Sequence, residues 1–171
     1  MIILLAGASH TGKTLLAQRL LEKYGFPTLS IDHLKMGLIR SGQTSLTPED
    51  DDEKLTAYLW PIVREIVKTA VENKQNLIVE GCYIPFDWEK DFEESYLRQI
   101  RYFCLVMTEP YIRSHFEDIR AYAGAIEDRI SDDSLAVEDV VRENRRNWEQ
   151  CRKFGHEPVL IEGNYQVEIE L

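Results

Sequence analysis

Short runs of apolar residues alternate along the chain with longer segments in which apolar positions recur at helical spacing. The short runs are continuously apolar, as expected of parallel strands that are covered on both faces. They predict strands at 2–6, 27–31, 76–80, 101–107 and 158–161. Because these strands alternate with helical segments, the sequence predicts an α/β fold with a parallel sheet between layers of helices.

The same pattern predicts where the main helices begin and end. One helix covers 13–23 and stops at Gly25, a residue type that favours helix ends. A long helix opens at 47–50, where Thr-Pro-Glu-Asp supplies an N-cap hydroxyl, a proline and acidic first-turn residues. We expect Pro61 to kink this helix. A last helix is predicted from about 137 to 154.

Residues 7–14 read Gly-Ala-Ser-His-Thr-Gly-Lys-Thr and follow the first predicted strand directly. This is the complete Walker A pattern, in which backbone N–H groups and the positive end of the next helix converge on phosphates. We expect Lys13 to reach the β- and γ-phosphates and Thr14 to join the coordination shell of Mg²⁺. The predicted ligand is Mg-ATP, bound by Gly7, Ser9, His10, Thr11, Gly12, Lys13 and Thr14. We interpret His10 as a solvated loop residue rather than an acid or base.

Carboxylates follow the second and third predicted strands, at the sheet edge where open α/β folds place their sites. Asp32 is the candidate catalytic base, because phosphoryl transfer to a hydroxyl benefits from a carboxylate that orients the nucleophile and accepts its proton. Asp32 could instead cap the next helix, and the two roles can coexist. Glu80 ends a Walker B-like run, where it could serve Mg²⁺, bind acceptor hydroxyls or simply end the strand in a turn. Gly81 would let a substrate approach the backbone closely.

Positive charge must also stabilise the transferred phosphoryl group. We predict Arg113 and Arg120 as catalytic residues on a lid at about 109–135, with Arg129 as a further candidate and Gly124 as a hinge. Arg113 and Arg120 could equally form surface ion pairs with glutamates one helical turn away. These alternatives stay open at the level of the sequence.

Cations after the second strand are suited to gripping an anionic acceptor. The predicted acceptor-binding residues are Asp32, Lys35, Arg40, Glu80 and Gly81. The aromatic residues nearby could stack on a base, but we interpret them as core: Tyr58, Trp60, Tyr83 and Trp88.

Composition limits the classes of partner. The 171 residues, 44% hydrophobic, predict a single domain over 1–171 with a substantial core. The formal net charge of −10 argues against sequence-independent nucleic-acid binding. No apolar run is long enough to span a bilayer, so we expect a cytoplasmic protein with no membrane partner. The cysteines are far apart and predicted to be reduced, and the acidic run at 49–53 is interpreted as a helix start rather than a metal site. The oligomeric state is left open.

Together, the Walker A motif at 7–14, the Ser-x-Asp at 30–32, the Glu-Gly at 80–81 and the later arginines resemble the small P-loop kinases. That family includes nucleoside monophosphate kinases, shikimate and gluconate kinases, and antibiotic or toxin phosphotransferases. The resemblance implies a three-layer P-loop kinase fold with a five-stranded parallel sheet in the order 2-3-1-4-5. It also implies an acceptor-binding region at about 32–75 and a helical lid at about 109–135.

Within this family, 31–35 and 78–81 are most similar to proteins described as 2-phosphoglycerate kinase-like, a description that implies no substrate. Adenylate kinases are expected to have Asp-Gly-Phe-Pro-Arg where this chain has 80–85. The missing arginine argues against AMP as the acceptor.

The sequence therefore predicts an ATP-dependent phosphotransferase that moves the γ-phosphoryl group of Mg-ATP to a small-molecule hydroxyl or phosphate. Asp32 and Glu80 favour a hydroxyl. The alternative is a nucleotide-binding switch or sensor with slow hydrolysis, although the Asn-Lys-x-Asp base-reading motif of GTPases does not occur.

Overall fold

The protein is built around a five-stranded sheet in the order β2-β3-β1-β4-β5, in which all neighbouring strands are parallel. The structure is a computed structural model that describes residues 1–122 and 135–171. The strands are β1 (Ile2–Gly7), β2 (Thr28–Ser30), β3 (Leu77–Glu80), β4 (Ile100–Met107) and β5 (Val159–Ile161). Every predicted strand is confirmed, and the strand order is the one that the family resemblance implied.

Helices cover both faces of this sheet. They are α1 (Lys13–Tyr24), α2 (Ile31–Arg40), α3 (Asp52–Glu72), α4 (Glu94–Leu97), α5 (Glu109–Tyr122) and α6 (Val137–Lys153), with a short 3₁₀ helix at Trp88–Asp91. Gly25 ends α1 as predicted, with a φ of 70° and an N–H group that donates to the carbonyl of Leu21. Ser30 occupies the N-cap position of α2, so the alternative role of Asp32 as the cap was wrong.

Helix α3 begins later than the sequence predicted. Its N-cap is Asp51, whose side chain accepts a hydrogen bond from the Lys54 N–H at 2.9 Å. The predicted start at Thr47 was wrong, because Asp50 accepts the Thr47 N–H at 2.8 Å and forms a turn there instead. The acidic run at 49–53 therefore lies at the start of the helix, as interpreted: Asp51 caps it, and Asp52 and Glu53 lie in its first turn. Helix α3 continues through Pro61.

Side chains of β1 alternate between two buried layers. Ile2, Leu4 and Ala6 pack on the face covered by α3, where Cys104 also lies. Ile3 and Leu5 pack on the face covered by α1, α5 and α6. Because both faces are covered, the central strands need apolar side chains at successive positions.

Residues 165–171 follow β5 and are here named the C-terminal strap, a segment for which the sequence predicted no element. Val167 and Ile169 are buried in the same layer as α1, whereas Gln166, Glu168 and Glu170 are exposed. This alternation is typical of extended chain with one face against a core.

The lid predicted at 109–135 and the absence of a membrane span are compared with the structure over residues 1–122 and 135–171. The predicted lid at 109–135 coincides with α5 up to 122, whereas Gly124 and Arg129 lie outside the described residues. Within the described residues, no helix combines the length and apolar composition needed to cross a membrane.

Candidate nucleotide and acceptor site

The phosphate-loop sequence forms a tight turn between β1 and α1. Gly12 has a φ of 81°, and a Cβ atom there would lie 1.9 Å from the hydroxyl oxygen of Tyr165. A Cβ atom on Gly7 would lie 2.6 Å from the carbonyl oxygen of Leu105. His10, half-buried, also has a positive φ of 67°. Both motif glycines are therefore required by close packing as well as by backbone conformation.

The interior of this loop holds a buried ammonium group. Lys13 is only 7% exposed, and its Nζ donates to the carbonyl oxygen of Ala8 at 2.8 Å. The same carbonyl accepts the Thr11 hydroxyl at 2.9 Å. A carbonyl oxygen satisfies the hydrogen bond but does not neutralise the charge, so an anion is the stronger partner for Lys13. This arrangement fits a phosphate ligand.

Thr14 and Glu80 meet beside the loop. The Thr14 hydroxyl donates to Glu80 Oε2 at 3.3 Å, and Glu80 is 2% exposed at the end of β3. A hydroxyl that donates its proton to a carboxylate keeps its lone pairs for a cation, and Mg²⁺ prefers such oxygen ligands. The residues present thus fit Mg²⁺ at this position. The neighbouring Gly81 packs closely on α2, since a Cβ atom there would lie 2.9 Å from the Cβ of Ile31.

Asp32, in the first turn of α2, belongs to a hydrogen-bonded group of three side chains. Lys35 Nζ donates to Asp32 Oδ1 at 2.8 Å and to the Tyr83 hydroxyl oxygen at 2.9 Å. Burial alone would lower the pKa of Lys35, but the hydrogen bonds to Asp32 and Tyr83 outweigh it and raise that pKa. Burial also raises the pKa of Tyr83. Lys35 therefore stays protonated and orients the Asp32 carboxylate.

A cavity of about 650 Å³ lies at the carboxyl ends of β1, β2 and β3. It brings together many of the predicted site residues, including Gly7, Ser9, Thr14, Asp32, Lys35 and Arg40. The arrangement agrees with the rule that open α/β sheets bind ligands at this edge.

The same cavity has walls that the sequence analysis missed. Asp52 on α3 and Glu143, Arg146 and Asn147 on α6 line it. Burial and the nearby Asp52 carboxylate raise the pKa of Glu143. The cavity thus presents both signs of charge, with Arg40 and Arg146 as its arginines among the described residues.

The predicted lid arginines lie elsewhere on the described surface. Arg113 forms ion pairs with Glu109 at 2.9 Å and Glu138 at 3.0 Å. Arg120 pairs with Glu117 at 2.7 Å. In the described part of the chain, neither arginine lines the cavity. Their catalytic role stays a prediction.

The aromatic side chains near the cavity are mainly core, as interpreted from the sequence. Trp60, Tyr83 and Trp88 are 3–6% exposed and pack in the layer beneath α3. Tyr58 is less buried and donates to the carbonyl of Gln43. Trp60 also lines a second cavity of about 560 Å³, which shares Asp52, Cys82, Arg146 and Asn147 with the first.

Solved structures of other proteins share the fold of this chain. No family model and no curated protein matches the sequence. A proposed kinase from Chloroflexus aurantiacus J-10-fl is similar in structure, with a TM-score of 0.53 and 19% identity over 82% of this chain and 77% of that one. Shikimate kinase from Bacteroides thetaiotaomicron has a TM-score of 0.51 and 14% identity over 90% of this chain and 81% of that one. The fold is therefore that of the small P-loop kinases.

Proposed function

We propose that this protein transfers the γ-phosphoryl group of Mg-ATP to a hydroxyl group of a small anionic molecule. One observation carries the proposal: a single cavity joins the phosphate loop to Asp32 and to two arginines on different helices. The P-loop kinase fold of the chain supports the same reaction class.

The nucleotide end of the site would consist of the 7–14 backbone, Lys13, Thr14 and Glu80. Mg-ATP supplies the phosphoryl group, and the metal ion offsets negative charge during transfer. Lys13 would exchange its hydrogen bond to the Ala8 carbonyl for contact with phosphate oxygens. Thr14 would coordinate the cation through an oxygen lone pair while its hydroxyl keeps donating a hydrogen bond to Glu80, an arrangement that the observed hydrogen bond supports.

Asp32 would orient the acceptor hydroxyl and accept its proton. The Lys35 ammonium, hydrogen-bonded to Asp32 Oδ1 at 2.8 Å, fixes one carboxylate oxygen and leaves the other to accept the hydrogen bond of the acceptor hydroxyl. A phosphate acceptor needs no base, so the placement of Asp32 in the cavity favours a hydroxyl acceptor.

Arg40 and Arg146 would bind an anionic group of the acceptor. They line the same cavity from α2 and α6, and an arginine guanidinium matches carboxylate or phosphate oxygens in geometry. Asp52 and Glu143 lie on the same walls and can accept hydrogen bonds from further acceptor hydroxyls.

A panel screen tests the proposal. The purified protein with Mg-ATP is offered hydroxy acids, sugar phosphates, nucleosides and nucleoside monophosphates, and ADP release and acceptor phosphorylation are measured together. The Lys13→Ala variant provides the blank. Phosphorylation of an anionic hydroxyl compound by the wild type alone is the expected result. ATP binding without transfer to any compound would contradict it and favour the alternative of a nucleotide-dependent sensor.

A further inference from the structure

We propose that Tyr165 on the C-terminal strap is a positioning residue that holds the phosphate loop in its nucleotide-binding shape, an inference that rests on the proposed function. The Tyr165 hydroxyl donates to the carbonyl oxygen of Thr11 at 3.1 Å and lies 3.4 Å from that of Gly12. Both residues belong to the Walker A motif, whereas Tyr165 lies more than 150 positions later in the chain.

The bonded carbonyls determine where two loop amides point. In a trans peptide the C=O and N–H bonds lie in one plane and point in opposite directions. The carbonyl of Thr11 shares its peptide with the N–H of Gly12, and that of Gly12 shares its peptide with the N–H of Lys13. The tyrosine hydroxyl donates to the Thr11 carbonyl and contacts that of Gly12, which also accepts the Leu16 N–H at 2.9 Å. It thereby helps to orient N–H groups of the kind that cradle phosphates in this motif.

The strap has a second anchor at the far end of α1. Glu170 accepts hydrogen bonds from Lys23 at 2.7 Å and from the Tyr24 hydroxyl at 3.0 Å, and its carbonyl accepts one from Arg101 at 2.9 Å. Helix α1 has 12 residues, so it is about 18 Å long. The five residue steps from 165 to 170 span about 17 Å when extended. The strap therefore runs the length of α1, between the phosphate loop and the helix end.

Three further observations fit a positioning role. Tyr165 fills the space beside Gly12, where even a methyl group would overlap its hydroxyl oxygen. Burial raises the pKa of Tyr165 to about 12, so the hydroxyl keeps its proton at any working pH. Val167 and Ile169, which follow Tyr165 in the strap, are buried in the same apolar layer and hold the strap in place.

The test compares two single variants, each of which removes one hydroxyl that forms a hydrogen bond at one end of the strap. Tyr165→Phe keeps the ring and its packing but loses the contact with the loop. Tyr24→Phe is the matched control, because it removes a hydroxyl bonded to the same strap at the opposite end of α1. Two quantities are compared with the wild type: amide hydrogen exchange at Gly12 and Lys13 without nucleotide, and the Kd values for ATP and for inorganic tripolyphosphate.

For Tyr165→Phe we expect exchange at both amides to rise about fivefold and both Kd values to rise by a similar factor, the scale of one lost hydrogen bond. The kcat at saturating ATP should change less than about twofold, and Tyr24→Phe should change none of these. Unchanged exchange in Tyr165→Phe, or equal effects of the two variants, would overturn the inference. Absence of nucleotide binding in the wild type would instead overturn the proposed function, and the exchange rates would still decide whether Tyr165 orders the loop.

Discussion

The phosphate loop and helix α5 both carry cations predicted to act on the transferred phosphoryl group, yet they hold them in opposite ways. Lys13 is 7% exposed and bonds to a neutral carbonyl. The side chains of Arg113 and Arg120 are 49% and 50% exposed and are paired with glutamates. The charge of Lys13 is thus not neutralised by its observed partner, whereas the charges of the two arginines are.

This difference determines how much binding free energy an anionic ligand would gain from each cation. An anion that reaches Lys13 finds a desolvated ammonium group, and electrostatic attraction is strong in such surroundings. An anion that recruits Arg113 or Arg120 must compete with carboxylates and with water. Exposed ion pairs are weak, so such competition is feasible, but the gain is small. We therefore expect variants of the phosphate loop to have much larger effects than variants of α5.

The largest effect is expected from Lys13→Ala. Loss of the buried ammonium should weaken Mg-ATP binding and lower the transfer rate by at least about a hundredfold, the scale of one removed charge-stabilising group. The melting temperature should stay near that of the wild type, because only a hydrogen bond to the Ala8 carbonyl is lost with the charge. Calorimetric titration and a thermal scan measure the two quantities.

Lys153→Ala is the control for Lys13→Ala, since it removes an exposed lysine at the end of α6. It should leave nucleotide binding unchanged. Equal nucleotide affinity of Lys13→Ala and the wild type would mean that the buried ammonium does not contact the ligand.

Asp32→Asn should have the next largest effect and should separate chemistry from binding. The amide keeps the shape of the side chain but cannot accept the acceptor proton, so kcat should fall by about 10² to 10⁴. The Kd for ATP should change less than about threefold, because Asp32 lies on α2 and not in the phosphate loop. Asp87→Asn, at an exposed ion pair with Lys90, is the control.

The pH dependence sharpens the Asp32 test. The pKa of Lys35 is raised above its ordinary value near 10.5, so Lys35 stays charged throughout the range from about pH 6 to 9. Its contribution to stability is complete below that ordinary pKa and is lost only as the pH rises through the raised value. In the wild type, a change of kcat within this pH range therefore does not come from loss of charge at Lys35, which keeps its hydrogen bond to Asp32. If Asp32→Asn kept the kcat of the wild type, Asp32 would not be the catalytic base.

The phosphate loop was predictable because its signal is local: glycines, Lys13 and Thr14 stand at fixed spacing after an apolar run. The contribution of α6 was not predictable, because Arg146 and Glu143 differ in no local way from the other charged residues of that helix. They reach the cavity only through packing of α6 against the sheet. The strands and the α/β class were predictable from the apolar pattern of each segment, whereas the strand order was implied only by the family resemblance.

The strap and the start of α3 were not predicted correctly from the sequence, for two different reasons. Tyr165, Val167 and Ile169 alternate with polar residues, a period-two signal that could have revealed the extended strap. At α3 the signal was ambiguous, because Thr47 and Asp51 are both good N-cap residues. The hydrogen bond from the Thr47 N–H to Asp50 closes a turn there, and Asp51 becomes the cap.

Arg146→Gln is expected to have an intermediate effect. Arg146 lines the cavity, although its side chain is 63% exposed and lies 3.6 Å from Glu53. Loss of its charge should raise the KM for an anionic acceptor about tenfold while the KM for ATP stays constant, because one charge-assisted contact is removed from the acceptor alone. Steady-state kinetics with both substrates varied measures this difference.

Arg142→Gln is the matched control for Arg146, since it lies one turn earlier on α6 and pairs with Asp139. It should leave both KM values unchanged. If the acceptor KM rose equally in the two variants, the cause would be a lower positive electrostatic potential on this surface and not the loss of a direct contact made by Arg146.

The smallest effects are expected on α5, where Arg113→Gln and Arg120→Gln test the catalytic role predicted from the sequence. With both side chains half-exposed and paired with glutamates, each substitution should change kcat less than about threefold. The complementary test is Glu117→Gln, which removes the partner of Arg120, together with the double variant Glu109→Gln/Glu138→Gln, which removes both partners of Arg113. If the arginines do reach the phosphoryl group during turnover, kcat should fall at least about a hundredfold without them and rise when their partners are removed. A fall of that size would show that α5 changes position in the reaction and that its cations act together with Lys13.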